Sequence, residues 1–487
     1  MTKAVLGCLV AGLMFAGGCT KANPAATCSD GTCTDPAFPF CDVDGSVGGQ
    51  PGTCVAITCQ AGANGGCQGS SALVCNAAGT SFDPVPCANG CDQNTGCKSC
   101  TPGATQCTGT KLQTCGSDAV FTDTQSCELA CTDAPAPHCA YISPKYVPDA
   151  CDAPVPGTSL AIAAAATVDS GLDNNCTGGV LAQAGGPEIC VIHYDSISVG
   201  SGATFTLVGT RAVALVADND VTVLGAIEVG ATGGTSGPGG GTYESGGAVG
   251  HGGLNLNDGS GDGGAGFLTV GGAGGNASGD GATANGGSAS ADPSARAQLF
   301  GGPKTAFGGG GGGGLTVISC RGRVSVQGTI DSRGGGGRGD RTRSSATSNN
   351  PLAGAGGGAG GYAVLQGGSI LFTGQAFANG GGGGAGNNTA FTPGNVDGLD
   401  GTASDLVCAR GGVAPTGAGN GGAGGCGTIS TSQPGDGLHP PDTTGRAGGG
   451  GGSMGFFQSY TPAGVTPTLL PAHASPGFQP NLTVETR

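Results

Sequence analysis

The sequence predicts an all-β protein: a right-handed parallel β-helix with glycine-rich insertions, preceded by small disulfide-rich modules. Three observations predict it. Cysteine is dense, with 24 in 487 residues, and concentrated early in the chain. Short runs of alternating apolar residues ending on glycine recur later. Aromatic residues are only 4% and charged residues 10%, with no tryptophan. A chain so poor in bulky side chains cannot build a thick core, because burial energy scales with apolar area. Covalent staples or stacked backbone must supply the rest.

The formal net charge is −15. A nucleic-acid binder shows a basic footprint, so that class is excluded. No glycine-rich phosphate loop ends in Gly-Lys-Ser/Thr, so nucleotide binding is not supported either. The cysteine density points to an oxidising compartment. Metal binding by thiolates would call for paired Cys-x2-Cys knuckles. The sole Cys-x2-Cys is Cys97 to Cys100, and it has no second knuckle.

Met1 to Lys3 carries one positive charge, and Ala4 to Gly18 is a run of small and apolar residues. That run is short for a membrane span but suits the core of a signal peptide. It ends at Phe15-Ala16-Gly17-Gly18-Cys19, which resembles a bacterial lipobox, with Ala16 where leucine is commoner. The resemblance implies that Cys19 receives diacylglycerol and becomes the mature N-terminus. With Thr20 following, it implies the outer-membrane address of a Gram-negative bacterium. Cleavage near Ala25-Ala26 without lipid is the competing expectation. The boundaries expected are a signal peptide at 1–18 and a tether at 19–27.

Setting aside Cys8 and Cys19 leaves 24 − 2 = 22 cysteines, an even number, as paired disulfides require. Residues 28–58 hold a four-cysteine module of Cys28, Cys33, Cys41 and Cys54. A six-cysteine repeat follows twice, over 59–98 and 99–139. The first copy is Cys59, Cys67, Cys75, Cys87, Cys91 and Cys97; the second is Cys100, Cys107, Cys115, Cys127, Cys131 and Cys139. A unit of about forty residues is too small to fold by burial alone. Three disulfides would each contribute roughly 2–4 kcal/mol. Six cysteines allow about fifteen pairings, and spacing does not choose among them. The spacings resemble cysteine-rich repeats on surface lipoproteins of myxobacterial type, which implies a spacer or binding knob and carries no catalytic residue.

The opening rungs are expected over 140–231, with Ile197-Ser198-Val199 and Ala212 to Val216 as strands. One motif recurs: Phe205 to Gly209, Val221 to Ile227, Val324 to Ile330 and Ile370 to Ala376. Each has apolar residues two apart and a glycine four after the first. The expectation is a strand, a glycine corner and a second short strand, stacked into a β-helix over 232–460. Residues 231–450 contain 73 glycines without the Gly-X-Y period of collagen. These tracts either remain open loops or pack as extended polyproline-II-like strands. They resemble the glycine tracts of PE-PGRS-type surface proteins, which implies exposure outside the cell. Cys151, Cys176 and Cys190 are expected to staple the first rungs, and Cys408 with Cys426 to close a loop. Cys320 has no local partner. The tail, 461–487, reads as irregular.

Chemical candidates are few. Gly250-His251-Gly252 resembles a short motif of β-helical pectin hydrolases, but the paired aspartates such an enzyme needs are absent. Asp258, Ser260 and Asp262 match the front half of a calcium loop, with Thr269 where its closing carboxylate should stand. The competing reading is a polar glycine turn. Arg321, Arg323, Arg333, Arg338, Arg341 and Arg343 crowd into one stretch, as a patch for an anionic polymer or as a solvated insertion. No nucleophile elbow and no metal-spaced histidines occur. The expectation is a structural or adhesive envelope lipoprotein without catalysis, held to the membrane by its lipid. The alternatives are a binding module for an envelope or matrix polysaccharide, or for an envelope protein, and a divergent β-helix carbohydrate-active enzyme.

Overall fold

The computed structural model describes residues 27–28, 32–43, 50–56, 58–155, 157–241, 259–276, 285–289, 297–305, 308–339, 353–387, 397–427, 433–441 and 445–487. The signal segment, Cys19, His251, Asp258, Arg341 and Arg343 lie outside them. Among the described residues the chain is all-β, with one 3-10 turn at Asp173–Asn175. None of its helical segments is long and apolar enough to cross a membrane. Two compact units divide it: 1–108 with 112–125, and 109–111 with 126–487.

The cysteine-rich repeats are small antiparallel sheets. In the first copy Asn64–Gln68, Ser71–Cys75 and Phe82–Pro86 form three strands. Cys91–Asp92 then pairs with Gly96–Cys97. Pro84 and Pro86 lie on the outer strand, where no ladder donor is needed. The disulfides join Cys59 to Cys75, Cys67 to Cys91, and Cys87 to Cys97. The second copy joins Cys100 to Cys115 and Cys127 to Cys139, and both Cys107 and Cys131 are disulfide-bonded. First to third and fourth to sixth is therefore common to both copies. Cys91 and Cys97 face each other across their hairpin, yet each bonds elsewhere, so cross-strand proximity did not set the pairing. The four-cysteine module pairs Cys28 with Cys41 and Cys33 with Cys54. All 22 expected cysteines are oxidised.

The larger unit is built from tiers of parallel strands. Ile189–Tyr194, Ala212–Ala217, Gly314–Val326, Tyr362–Phe372 and Phe456–Pro462 stack in that order. A second parallel ladder runs Ala166–Asp169, Thr204–Val208, Ala226–Glu228, Thr329–Asp331, Gln375–Phe377 and His473–Ser475. Between them Ser159–Ile162, Ser196–Val199 and Val221–Val223 lead into the later halves of the two long strands. The main sheet is mixed, because antiparallel strands close it at both edges. Gly179–Leu181 covers one edge, and Ile142–Ser143 pairs with Leu482–Thr486 at the other.

Register explains the apolar alternation. Ile197, Val221, Val324 and Ile370 form one column, and Phe205, Ile227, Ile330 and Ala376 another. All are buried in one apolar cluster. The Phe205 motif therefore does not match the Val221 motif; it belongs to the second ladder, and Ile197-Ser198-Val199-Gly200 is the true counterpart. The corner glycines are fixed by close approach. A Cβ at Gly328 would lie 1.8 Å from the Gly225 carbonyl oxygen, and one at Gly374 1.9 Å from that of Gly328. The tail is not irregular: Thr468–Leu469, His473–Ser475 and Leu482–Thr486 complete the last tier.

The main ladder is buried on both faces. Val213, Leu215 and Ala217 point into the first cluster, while Ala212, Ala214 and Val216 join a second. There the Tyr146 and Tyr362 hydroxyls meet at 2.9 Å, and Phe267 packs edge-on against Phe456. Burial pushes the Tyr146 hydroxyl far above its ordinary pKa. Cys151 finds its partner in Cys320, 169 residues on, and Cys176 bonds Cys190 inside the first cluster.

Candidate functional site

Every glycine-rich insertion occupies the same place in its tier. Each leaves after the last short strand, at Glu228, Asp331 or Phe377, and returns at the next long strand, at Gly314, Tyr362 or Phe456. Their segments are mostly buried, so their backbone groups need partners. Neither α nor β pairing supplies them.

The partners come with a period of three. Gly354, Gly357 and Gly360 donate to the carbonyls of Ala447, Gly450 and Ser453. Ala355, Gly358 and Gly361 donate to Arg338, Gly335 and Ser332. Three residues per turn is the repeat of the polyproline-II helix, which makes no internal hydrogen bonds. Each residue in a turn thus addresses a different neighbour. Of the two states expected for these tracts, the packed one is observed for the described segments.

Among the described residues three segments are surrounded on all sides. Within 445–455, Gly450 and Ser453 donate to Asp262 and Ala265. Gly448 and Gly451 donate to Leu438 and Gly435, and Gly449 and Gly452 to Gly384 and Gly381. The same segment accepts from Gly357 and Gly360, from Gly422 and Gly425, and from Gly275 and Gly272. That gives three donor and three acceptor directions, hence a hexagonal array. Residues 353–361 and 378–387 are enclosed in the same way.

Such spacing leaves no room for side chains. A Cβ at Gly358, Gly381 or Gly452 would stand 2.0 Å from the carbonyl oxygen of Gly310, Gly335 or Gly358 respectively. Two of the non-glycine positions fall where the array meets the apolar clusters: Ala359 joins the second and Ala378 the first.

The candidate residues read from sequence scatter across this frame. Arg321 and Arg323 sit at a corner of a long strand, where Arg321 lies over the Tyr141 ring and Arg323 Nε donates to Ser369 Oγ. Arg333 is held by Asp331 at 2.7 Å and by the Gly401 carbonyl. Arg338 is exposed on the array. Ser260 and Asp262 are buried within an array segment, where Asp262 donates its backbone N–H to Gly354 and accepts from Gly450. Among the described residues the one close group of three metal-ligand types is Cys28, Cys33 and Cys54, and disulfides consume those sulfurs. Cys408 and Cys426 pair as expected.

One buried polar pair was not anticipated. His193 Nε2 lies 3.0 Å from Asp218 Oδ1, with side chains 6% and 2% exposed. The other Asp218 oxygen accepts from the Val155 N–H, and Thr177 Oγ1 exchanges bonds with the His193 backbone. The carboxylate fastens the linker at Val155 to the sheet, and the His193 backbone holds the Thr177 turn. His193 reads in sequence as one residue of an apolar strand, so no local signal marked it.

No family model, curated protein or solved structure matches the chain.

Proposed function

We propose that the protein is a structural or adhesive lipoprotein of a bacterial envelope, exported and held at the outer membrane through acylated Cys19. The tiers are read as a right-handed parallel β-helix whose glycine insertions are one stiff flank. The observation that carries this reading is the hexagonal glycine array. Among the described residues its buried volume is backbone bonded to backbone, an investment in rigidity. The oxidation of 22 cysteines supports it, since such pairing persists outside the reducing cytoplasm. Arg321, Arg323 and Arg333 each engage a neighbour of their own, the Tyr141 ring, Ser369 and Asp331, which favours scaffold over polymer patch.

Mass spectrometry of the native protein tests the proposal. The expected result is a mature N-terminus at Cys19 bearing acyl chains, with no thiol available to alkylation. A protein that retains Met1 and reacts at many thiols refutes it.

A further inference from the structure

A hexagonal array of glycine segments has the weakness of an open β-sheet: its rim offers unpaired backbone groups to any chain of the same repeat. The rim here carries Asp-Gly-Leu twice, each followed by a side chain that can accept a hydrogen bond: Asp397-Gly398-Leu399-Asp400 and Asp436-Gly437-Leu438-His439.

Each position has the same task in both copies. The glycine donates into the array, Gly398 to Gly337 and Gly437 to Ala273, and a Cβ there would meet the Gly382 or Gly448 carbonyl at 2.1 or 1.9 Å. The leucine backbone donates sideways, Leu399 to Arg410 and Leu438 to Asn420, and the two residues are 56% and 53% exposed. The outer two residues, three apart, turn their side chains onto backbone N–H groups that are themselves three apart. Asp397 Oδ1 accepts from Gly339, and Asp400 Oδ1 from Gly336 and also Gly233, each at 2.7 Å. Asp436 Oδ1 accepts from Ala273 at 2.7 Å, and His439 Nδ1 from Asn276 at 2.9 Å.

These N–H groups point where the array would place one more segment. Residues 332–339 bond to described segments on their other sides, through Asn379, Gly382, Gly310, Gly358 and Gly398. Two carboxylates occupy the remaining direction, and their oxygens repeat at the three-residue interval a polyproline-II carbonyl row would have. The N–H row of 273 and 276 is closed by the second pattern.

We propose that Asp397/Asp400 and Asp436/His439 are surrogate carbonyls that end the array, and that removing them opens the rim to a glycine segment of a second copy of this chain. The second copy is the fitting occupant because the required partner is a side-chain-free strand with donors and acceptors every third residue. Such strands make up this protein's own interior, where they are enclosed, so the copy that docks gives up one from its own array, as in a domain swap.

The test compares D397A/D400A with D397N/D400N in the full chain. Asparagine keeps an acceptor oxygen and loses the charge; alanine loses both. Amide exchange at Gly336 and Gly339 should accelerate at least tenfold in the alanine pair and stay within about threefold of the parent in the asparagine pair. Light scattering should find the alanine pair at twice the parent mass or more, and the asparagine pair unchanged. Unaltered exchange overturns the capping role. Faster exchange at the parent's mass, up to the solubility limit, overturns the second-copy occupant. Association of both pairs alike assigns the effect to charge and overturns it as well. If D397A/D400A does not fold, D436A/H439A puts the same question to the other rim, read at Ala273 and Asn276.

Discussion

At the residue scale the decisive quantity is the volume of one methyl group. A Cβ at Gly381 would lie 2.0 Å from the Gly335 oxygen, with backbone on all sides and no flexible side chain to give way. Gly381→Ala should therefore cost about 1–3 kcal/mol, in the range of overpacked cores. Gly477 has nothing within 4 Å of its Cβ position, so Gly477→Ala should change stability by less than about 0.5 kcal/mol. Thermal melts of the two variants measure the difference; equal midpoints would refute the packing argument. Asp92 is another single-residue device. It accepts from the Asn94 and Thr95 backbone and the Thr95 hydroxyl, which holds its carboxyl below the usual carboxylate range. A depressed carboxyl stabilises the fold above its unfolded pKa, and the contribution fades as pH falls through the folded value. The Asn94 and Thr95 amide resonances should thus titrate with Asp92 on the acid side of an ordinary aspartate, and a midpoint at or above the ordinary value would contradict the turn.

At the scale of the element, the stacked columns carry the load. Ile227 is fully buried between Phe205 and Ile330, so Ile227→Ala should cost about 2–5 kcal/mol by urea unfolding. These columns are also where sequence was most informative. Val221, Val223 and Gly225 are legible because strand period and corner glycine fall together. Phe205 to Gly209 satisfies the same pattern and belongs to another ladder; pairing, not composition, separates them. Leu160 and Ile162 begin the stack in a stretch too short and too rich in small residues to stand out. The cysteine repeat was legible as a duplication, but its connectivity was not, since Cys91 and Cys97 face each other without bonding. The rim pattern was illegible for a different reason. Asp400 answers Gly336 across 64 residues and Asp436 answers Ala273 across 163, and a backbone N–H leaves no mark in sequence.

At the scale of the whole molecule, long-range closure replaces a large core. The Cys151–Cys320 bond spans 169 residues. By the chain-entropy argument it removes about 5 kcal/mol of unfolded-state freedom. C151A/C320A should melt lower than C408A/C426A, whose bond closes only 18 residues, and calorimetry of both proteins compares them. The reverse order would mean that the long bond is slack.

The pairing of Ile142–Ser143 with Leu482–Thr486 has a temporal meaning. Tyr141 and Arg487 exchange both backbone bonds there, so one border of the sheet is finished by residues made more than three hundred positions after its partner strand. That border of the sheet forms only once both of its segments exist. An edge joined across so long an interval closes only after the tiers between its two strands have been made.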